Sequence, residues 1–326
     1  MSTLVTGGAG YIGAHTVRQL RRRGDDVIVL DTLEHGNRAA IGDAPLVIGD
    51  IGDEGVLKKL FLDHSIDAVI HLAARKSVDE SLRHPAAYFR TNVVGSLALI
   101  EACLRAGVER MVFSSTCAVY GTPSELPVTE ASAVHPETPY GESKLMVEQM
   151  LRWFDELLSM RSVSLRYFNA AGAAEEGDLG EDWDQAMNLV PVVMKALLGR
   201  GDPVRIFGTD YLTHDGTAIR DYVHVLDLAD AHLRALDYLA AGGASQIFNL
   251  GTGQGASVRD VIAHAEQAAG FPVPVIEGPR REGDPPAIWA DGPRAHAQLG
   301  WHPRRPLDEI IASAWRWHSA HPDGYR

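Results

Sequence analysis

Residues 6–13 of the chain read TGGAGYIG, directly after a short β-branched run and directly before an amphipathic stretch. The glycines fit two overlapping spacings: Gly7, Gly10 and Gly13 as GxxGxxG, and Gly8, Gly10 and Gly13 as GxGxxG. A tight strand-to-helix turn of this kind lets the backbone approach a pyrophosphate that lies on the helix N-terminus. Because glycine has many structural uses, the spacing alone is weak. Its place between a strand and a helix predicts a dinucleotide site.

Outward from this turn, short apolar runs alternate with longer amphipathic stretches. Candidate strands include residues 27–30, 46–50 and 68–74, and helical patterns cover residues 11–23, 85–106 and 140–158. Continuous apolar runs that helices separate are typical of parallel strands buried on both faces. The sequence therefore predicts an α/β fold: a doubly wound parallel Rossmann sheet with a smaller, mixed α/β substrate-binding domain.

The rhythm of strands and helices breaks near Asn169, in an acidic, glycine-dotted segment that indicates a crossing into a second region. We therefore predict a dinucleotide-binding domain over residues 1–169 and a substrate-binding domain over residues 170–326. The pattern resumes at about residues 222–251, and we expect this part to return to the first sheet. The acidic stretch 175–184 is interpreted most simply as a solvated loop.

Composition limits the classes of partner. The chain has 326 residues, 45% of them hydrophobic, and a formal net charge of -13, which argues against nucleic acid or an anionic membrane surface. It contains no apolar run of about 18 residues, the length that spans a bilayer. The segment STLVTGG after Met1 leaves no room for a signal peptide. With two cysteines and no histidine pair at metal spacing, we expect a cytoplasmic protein without a metal site.

Asp31 ends the second candidate strand, 18 residues past Gly13. A carboxylate there would accept hydrogen bonds from a ribose 2′-OH and repel a 2′-phosphate, which favours NAD over NADP. The alternative is a solvated strand terminus. Asp50 and Ile51 end the third strand and could line the adenine, although a turn carboxylate explains Asp50 nearly as well.

The segment YGESK places Tyr140 and Lys144 four residues apart, so on a helix they share one face. To act as a base near neutral pH, a phenol needs its pKa lowered by about 3 units, or roughly 4 kcal/mol. An exposed ion pair supplies at most about 1 kcal/mol. Lys144 would therefore need partial burial, and help from the positive nicotinamide ring of an oxidised cofactor.

Several segments together carry a family resemblance. TGGAGYIG, the strand before Thr116 and YGESK resemble the extended short-chain dehydrogenase/reductases. Four further segments, from about residue 165 to 291, resemble the UDP-glucose 4-epimerases: LRYFNAAGA, DGTAIRDYVHVLDLADAH, FNLGTGQG and REGDPPAIWAD. The likeness runs from about residue 2 to about residue 325. Without it, the residues predict an NAD-dependent enzyme with a tyrosine base and stop short of the substrate.

The resemblance implies an isomerase that interconverts UDP-glucose and UDP-galactose, and that works as a homodimer. In this family NAD takes a hydride from C4 of the sugar, the 4-keto sugar turns over, and the hydride returns to the opposite face. By motif position, Tyr140 is the implied base, Lys144 its electrostatic partner and a ligand of the nicotinamide ribose, and Thr116 the hydroxyl that bonds O4.

The resemblance also implies two sets of binding residues. The cofactor set comprises Gly7, Gly10, Tyr11, Ile12, Gly13, Asp31, Asp50, Ile51, Leu72, Ala73, Ala74, Lys76, Asn92, Tyr140, Lys144 and Phe168. The substrate set comprises Thr116, Tyr140, Asn169, Asn188, Leu189, Phe207, Arg220, Arg281, Asp284 and Ile288. Two guanidinium forks can neutralise a diphosphate while the hexose end stays loosely held. The alternative for Arg220 is a surface ion pair with Asp221.

Ile288 stands where many of these epimerases carry a tyrosine beside the sugar. In this family a large aromatic residue there is associated with exclusion of N-acetylated sugars, and small residues with their acceptance. Isoleucine lies between these cases, so activity on UDP-GlcNAc and UDP-GalNAc stays open. A pentose epimerase also stays open, because it differs in pocket volume.

Two other classes of protein compete with this interpretation. Dehydratases of the same fold place an Asp and Glu pair directly after the hydroxyl residue, whereas this chain has Cys117 and Ala118, which disfavours elimination. A non-catalytic NAD-binding protein would not need Thr116, Tyr140 and Lys144 together. Cys117 itself is interpreted as a small packing residue, since no histidine is placed to activate it.

Overall fold

A computed structural model of the chain describes residues 1–183, 186, 188–281 and 285–325. Its centre is a parallel sheet of seven strands in the order β11-β6-β5-β4-β1-β2-β3. These strands are β1 (Ser2–Thr6), β2 (Asp26–Asp31), β3 (Leu46–Ile48), β4 (Ala68–His71), β5 (Arg110–Ser114), β6 (Arg161–Tyr167) and β11 (Gln246–Leu250). The prediction of a doubly wound α/β sheet is confirmed.

Helices cover both faces of this sheet. The eleven α-helices of the described residues are α1 (Tyr11–Arg23), α2 (Glu54–Asp63), α3 (Val78–Arg83), α4 (Pro85–Tyr88), α5 (Gly95–Arg105), α6 (Pro139–Leu158), α7 (Leu189–Leu197), α8 (Val225–Ala240), α9 (Val258–Ala269), α10 (Pro293–Leu299) and α11 (Leu307–Ala320). Alternate side chains of β1 show the layering: Val5 packs with the α1 and α8 layer, and Leu4 packs with α2, α5 and α6. Both residues are fully buried, as the continuous apolar runs predict.

One predicted helix is interrupted. The pattern over residues 85–106 forms α4, then a π-helix over Phe89–Val94, then α5. Single π-helical turns inside α-helices are often found at functional sites, because the wider turn re-aims side chains. Here the π-helix carries Asn92, one of the residues that the sequence indicates for the cofactor site.

The remaining strands form three small sheets. Strand β7 (Asn169–Ala171) pairs with β10 (Tyr222–His224), and β8 (Val204–Phe207) pairs with β13 (Val275–Gly278). Strand β9 (Ile219–Arg220) lies between β12 (Ala256–Ser257) and β14 (Ala287–Ile288). A separate core beneath them joins α7, α9 and α11. Within the described ranges, no helix is both long and apolar enough to cross a membrane.

The chain passes between these two parts more than once. After β10, helix α8 packs against α1, and β11 then pairs with β6 in parallel at the edge of the central sheet. The acidic segment that precedes this return differs from the solvated loop of the sequence interpretation. Arg18 pairs with Asp178 at 2.6 Å, Arg22 pairs with Glu176 at 2.8 Å, and Glu181 is buried. Basic residues of α1 therefore hold this segment against the first sheet.

Candidate active site

A cleft of about 1640 Å³ opens where the central strands end. One wall follows the carboxyl ends of β1, β2, β3, β4, β5 and β6, the usual ligand position of an open α/β sheet. The facing wall comes from the second part of the chain and includes Asn188, Leu189, Phe207, Arg220 and Arg281. The topology thus brings residues that are far apart in sequence to one site.

The glycine turn leaves no room for side chains on the protein's side. A Cβ on Gly13 would lie 2.2 Å from the carbonyl oxygen of Gly7, and one on Gly7 would lie 2.6 Å from the backbone nitrogen of Ala73. Gly7 also has a φ of +69°, which favours glycine. Helix α1 begins at Tyr11 without a side-chain cap and with no acidic residue in its first turn. The N-terminal N–H groups of α1 therefore fit an anionic diphosphate in the cleft.

Asp31 lies at the end of β2 with its carboxylate at the cleft. Its two oxygens accept hydrogen bonds from the backbone amides of Ala9 and Leu33, both at 2.9 Å. The residue is 8% exposed and lines the cleft, so its carboxylate is fixed in direction. Each carboxylate oxygen has a second lone pair for a hydroxyl donor. This arrangement fits a ribose and disfavours a phosphate in its place.

Tyr140, Lys144 and Thr116 all line the cleft, and the side chains of Tyr140 and Thr116 are hydrogen-bonded to each other. Helix α6 starts at Pro139, and the Thr138 side chain caps it by accepting a hydrogen bond from the Gly141 amide at 3.2 Å. One turn later the Lys144 ammonium donates to the Ser114 carbonyl oxygen at 2.8 Å and lies 4.8 Å from the centre of the Phe113 ring. The end of β5 therefore holds the Lys144 ammonium, two residues before Thr116.

Burial shifts both titrating groups of this cluster. It raises the pKa of the Tyr140 phenol, with a smaller contribution from Tyr167, while a side-chain hydrogen bond with Thr116 acts in the opposite direction. Burial lowers the pKa of the Lys144 ammonium to about 7, although the negative charge of Glu148 opposes this change. The burial of Lys144 that the sequence argument requires is present. The same burial keeps Tyr140 protonated at neutral pH, so its use as a base requires further positive charge.

Basic side chains lie on both walls of the cleft. Lys76 is 3.4 Å from the buried carboxylate of Glu181. The Arg281 guanidinium lies over the Phe207 ring, 4.6 Å from its centre, and 3.9 Å from a carboxylate oxygen of Asp79 across the cleft. Arg220 lines the same wall. These cations can neutralise the diphosphate of a nucleotide ligand.

Most of the residues predicted for the site line the cleft. Of the cofactor set, these are Gly7, Gly10, Tyr11, Ile12, Gly13, Asp31, Asp50, Ile51, Leu72, Ala73, Ala74, Lys76, Tyr140, Lys144 and Phe168. Of the substrate set, these are Thr116, Tyr140, Asn169, Asn188, Leu189, Phe207, Arg220 and Arg281. Asp284 lies outside the described residues.

Asn92 and Ile288 are the two described members of these sets that do not line the cleft, and their contact with a ligand stays a prediction. The Asn92 amide donates to the Arg75 carbonyl oxygen and to the Ser143 hydroxyl, both at 3.0 Å, and accepts from the Arg75 amide at 2.8 Å. Its polar atoms are thus bonded to protein groups and join the loop after β4 to α6. Ile288 is 6% exposed and packs in a cluster with Tyr120 and Phe168.

Glu181 is a cleft residue that the sequence pattern did not indicate. Burial raises the pKa of its carboxyl group, while the nearby charge of Lys76 lowers it. The acidic composition of residues 175–184 is typical of a solvated loop and masks one buried member. Its contact with Lys76 joins residues 105 positions apart, so no local sequence pattern marks it.

The fold and the site define a class of protein: a nucleotide-dependent enzyme with a tyrosine and lysine pair on a Rossmann sheet. The chain belongs to the NAD dependent epimerase/dehydratase family, whose family model matches residues 3–251. This family lies within the extended short-chain dehydrogenase/reductases.

Full-length relatives narrow this class. The chain is 47% identical to a UDP-glucose 4-epimerase of Halalkalibacterium halodurans over 326 residues, which cover 100% of this chain and 98% of the relative. The solved UDP-glucose 4-epimerase of Brucella ovis in complex with NAD has a TM-score of 0.94 and 43% identity, covering 96% of this chain and 97% of that one. The UDP-glucose 4-epimerase of Bifidobacterium longum in complex with NAD+ and UDP has a TM-score of 0.94 and 39% identity, with full coverage of both chains.

We predict that Gly13→Ala abolishes stable dinucleotide binding, because its Cβ meets the Gly7 carbonyl oxygen at 2.2 Å. The turn and the N-terminus of α1 must separate to relieve this contact. The measurement is NAD content of the purified variant, followed by titration with added NAD. Gly55→Ala, at an exposed position of α2, is the matched control and should bind NAD normally. Normal NAD retention in Gly13→Ala would show that this turn does not hold the dinucleotide.

Proposed function

We propose that this chain is an NAD-dependent epimerase that interconverts UDP-glucose and UDP-galactose. The observation that carries the proposal is the meeting of Tyr140, Lys144 and Thr116 between a dinucleotide turn and a wall with two arginines. Relatives over the full length of the chain bear the name UDP-glucose 4-epimerase, which supports this choice of substrate. When bound, NAD supplies the redox chemistry by accepting the C4 hydride, returning it later, and adding a positive ring charge near Tyr140.

The chain's own groups move and hold the proton at O4 of the sugar. The Tyr140 phenolate accepts the proton from O4 as the C4–H bond breaks, and the phenol gives it back as that bond reforms. Lys144 stabilises the phenolate by its charge from one helical turn away. The Thr116 hydroxyl lies at the same place and directs O4 toward Tyr140.

Epimerisation also requires that the 4-keto sugar present its other face between the two hydride transfers. We propose that Arg220 and Arg281 hold the diphosphate through both transfers, so that the hexose alone moves. Beside Thr116 the cleft is lined by the small residues Cys117 and Ala118. Burial raises the pKa of the Cys117 thiol to about 12, so it stays neutral and exchanges no proton. Elimination of water, the reaction of the related dehydratases, therefore finds no carboxyl pair here.

The direct test incubates the purified protein with UDP-galactose, without added cofactor, and measures UDP-glucose formation. The proposal expects conversion with retained NAD. Absence of conversion, both with and without supplied NAD, would contradict it. Parallel incubations with UDP-GalNAc and UDP-arabinose determine whether N-acetylated and pentose sugars are also accepted.

Tyr140→Phe should lower kcat by about 10² or more, the scale of general acid–base catalysis. The ring is retained, so NAD content should stay close to that of the wild type. Tyr238→Phe is the control, because Tyr238 packs on Phe248 of the central sheet, outside the cleft. An unchanged kcat in Tyr140→Phe would remove Tyr140 from the proton-transfer role.

We also propose that the chain forms a homodimer through the outer face of α6. Met146, Trp153 and Leu157 are 36%, 52% and 72% exposed, and their spacing of seven and four residues forms one helical stripe. An apolar stripe of this kind on a surface helix is typical of a protein interface. The family resemblance implies a homodimer, and this stripe is the surface that we assign to its interface.

Trp153→Asp should shift the protein from dimer to monomer, because it places a charge at the centre of this stripe. The measurement is molar mass by light scattering during size-exclusion chromatography. Leu62→Asp changes a residue that is 76% exposed on α2 and should leave the mass unchanged. A Trp153→Asp variant with the wild-type dimer mass would rule out this face.

A cytoplasmic location remains our proposal. Cys103 and Cys117 are both free, the first buried and the second half-buried. Free thiols are typical of reducing compartments. Fractionation of cells that express a tagged chain tests the location directly.

A further inference from the structure

A buried ion pair lies just outside the cleft, one helical turn beyond Lys144. Two hydrogen bonds join Glu148 of α6 to Arg166 of β6: Nη2 to Oε2 at 2.5 Å, and Nε to Oε1 at 2.9 Å. Each side chain is 3% exposed. Neither residue lines the cleft, and neither has a role in the proposed reaction so far.

The remaining polar atoms of this pair connect it to the catalytic strand. The Ser115 hydroxyl donates to Glu148 Oε1 at 2.5 Å. Ser115 stands between Ser114, whose carbonyl oxygen accepts from Lys144, and Thr116. Glu148 therefore binds the residue that directly follows β5, between the carbonyl that holds Lys144 and the cleft residue Thr116.

On its other side the pair reaches the edge of the sheet. Arg166 Nη1 donates to the Tyr120 hydroxyl at 3.0 Å, and the Tyr120 hydroxyl donates to the side-chain oxygen of Asn249 in β11 at 2.6 Å. The Arg166 guanidinium also lies 5.0 Å from the centre of the Tyr120 ring. The network thus joins α6, β5, β6 and β11 behind the cleft.

Such a buried ion pair adds little to the net stability of the fold. Removing two ions from water carries a large desolvation penalty, and well-packed apolar residues of similar volume are often at least as stable. Fixed geometry and a fixed charge are what an apolar replacement would lack. Both properties matter at a helix that carries Tyr140 and Lys144.

We propose that Glu148 is a positioning residue for the epimerase reaction: held by Arg166 and Ser115, it fixes α6 against the end of β5 and places a buried negative charge one helical turn from Lys144. This inference rests on the proposed function, because it assigns the lysine the task of stabilising the Tyr140 phenolate. Glu148 acts through Lys144 and touches neither substrate nor cofactor.

The surroundings of Lys144 make this charge important. From α6 it is faced by Tyr140 and Glu148, from β5 by the Phe113 ring and the Ser114 carbonyl, and from β4 by His71. Burial lowers the pKa of His71 to about 3, with a smaller contribution from the charge of Lys144, so this histidine is neutral at the working pH. Among the causes of the Lys144 shift, burial lowers the pKa and Glu148 raises it.

The sign of the pH effect follows from these contributions. Lys144 is active in its protonated form, and its pKa of about 7 places its loss of charge close to neutral pH. Removing the negative charge of Glu148 lowers this pKa further, so the ammonium is lost at a lower pH. In a variant without this charge, the alkaline loss of activity should therefore begin at a lower pH than in the wild type.

The test compares wild type, Glu148→Gln and Glu156→Gln over pH 5.5–9.5. Glu148→Gln keeps the shape of the side chain and should lower kcat at pH 7 by about fivefold, with the alkaline limb of kcat moved down by about one pH unit. KM for UDP-galactose and NAD content should stay within about twofold of wild type, since the diphosphate contacts lie elsewhere. Glu156→Gln removes the same charge from an exposed position of α6, where Glu156 pairs with Arg152, and should leave the profile unchanged.

Two outcomes decide the proposal. A folded Glu148→Gln variant with the wild-type kcat and alkaline limb overturns it. If that variant fails to fold because Arg166 is left buried and unpaired, the double variant Glu148→Met with Arg166→Met removes both charges and takes its place. Full kcat with an unchanged limb in the double variant also overturns the proposal. Lack of turnover in the wild type would instead reject the proposed function.

Discussion

The site depends on one buried hydrogen bond, from the Lys144 ammonium to the carbonyl oxygen of Ser114 at 2.8 Å. An ammonium group that is removed from water must find strong acceptors, because burial of an unpaired charge is costly. The carbonyl at the end of β5 meets this need and fixes the register of α6 against the sheet. Tyr140 precedes Lys144 by one turn of the same helix, and its hydroxyl is hydrogen-bonded to Thr116. The proposed catalytic residues are thus brought together where the end of a strand accepts a hydrogen bond from a buried cation.

The two walls of the cleft present favourable charge to an anionic ligand in different ways. The glycine turn offers backbone N–H groups and excludes side chains, so its favourable charge is fixed in the backbone. The facing wall offers long cationic side chains, and Arg281 rests on an aromatic ring and near a carboxylate across the cleft. A rigid backbone site on one wall suits a retained cofactor. Long cationic side chains on the other wall suit a sugar nucleotide that binds and dissociates in each turnover.

Sequence patterns predicted the fold and most of the cleft because both depend on local rules. The glycine turn and the helix after it are contiguous, and Tyr140 and Lys144 are separated by one helical turn. Ile288 and Asn92 do not line the cleft, although the sequence predicts that they contact a ligand. Family position indicates which segment approaches a ligand, but it does not show whether a side chain faces the cleft or a neighbouring strand. Ile288 packs on Phe168, which is 120 residues away in sequence, and Asn92 is used by Arg75 and Ser143. The contacts that distinguish Glu181 and Glu148 are likewise made with residues distant in sequence, Lys76 and Arg166.

The return of the chain to β11 has a consequence for synthesis of the protein. The edge of the central sheet beside β6 is completed only by residues 246–250, after the chain has built much of its second part. Until then β6 is an open strand edge, which can pair with other chains. Such non-local strand pairing is slow because a long loop must close first. A ribosome-bound chain that has emerged only to residue 240 therefore exposes the unpaired edge of β6. This is the interval in which binding by a chaperone would best prevent association with other chains.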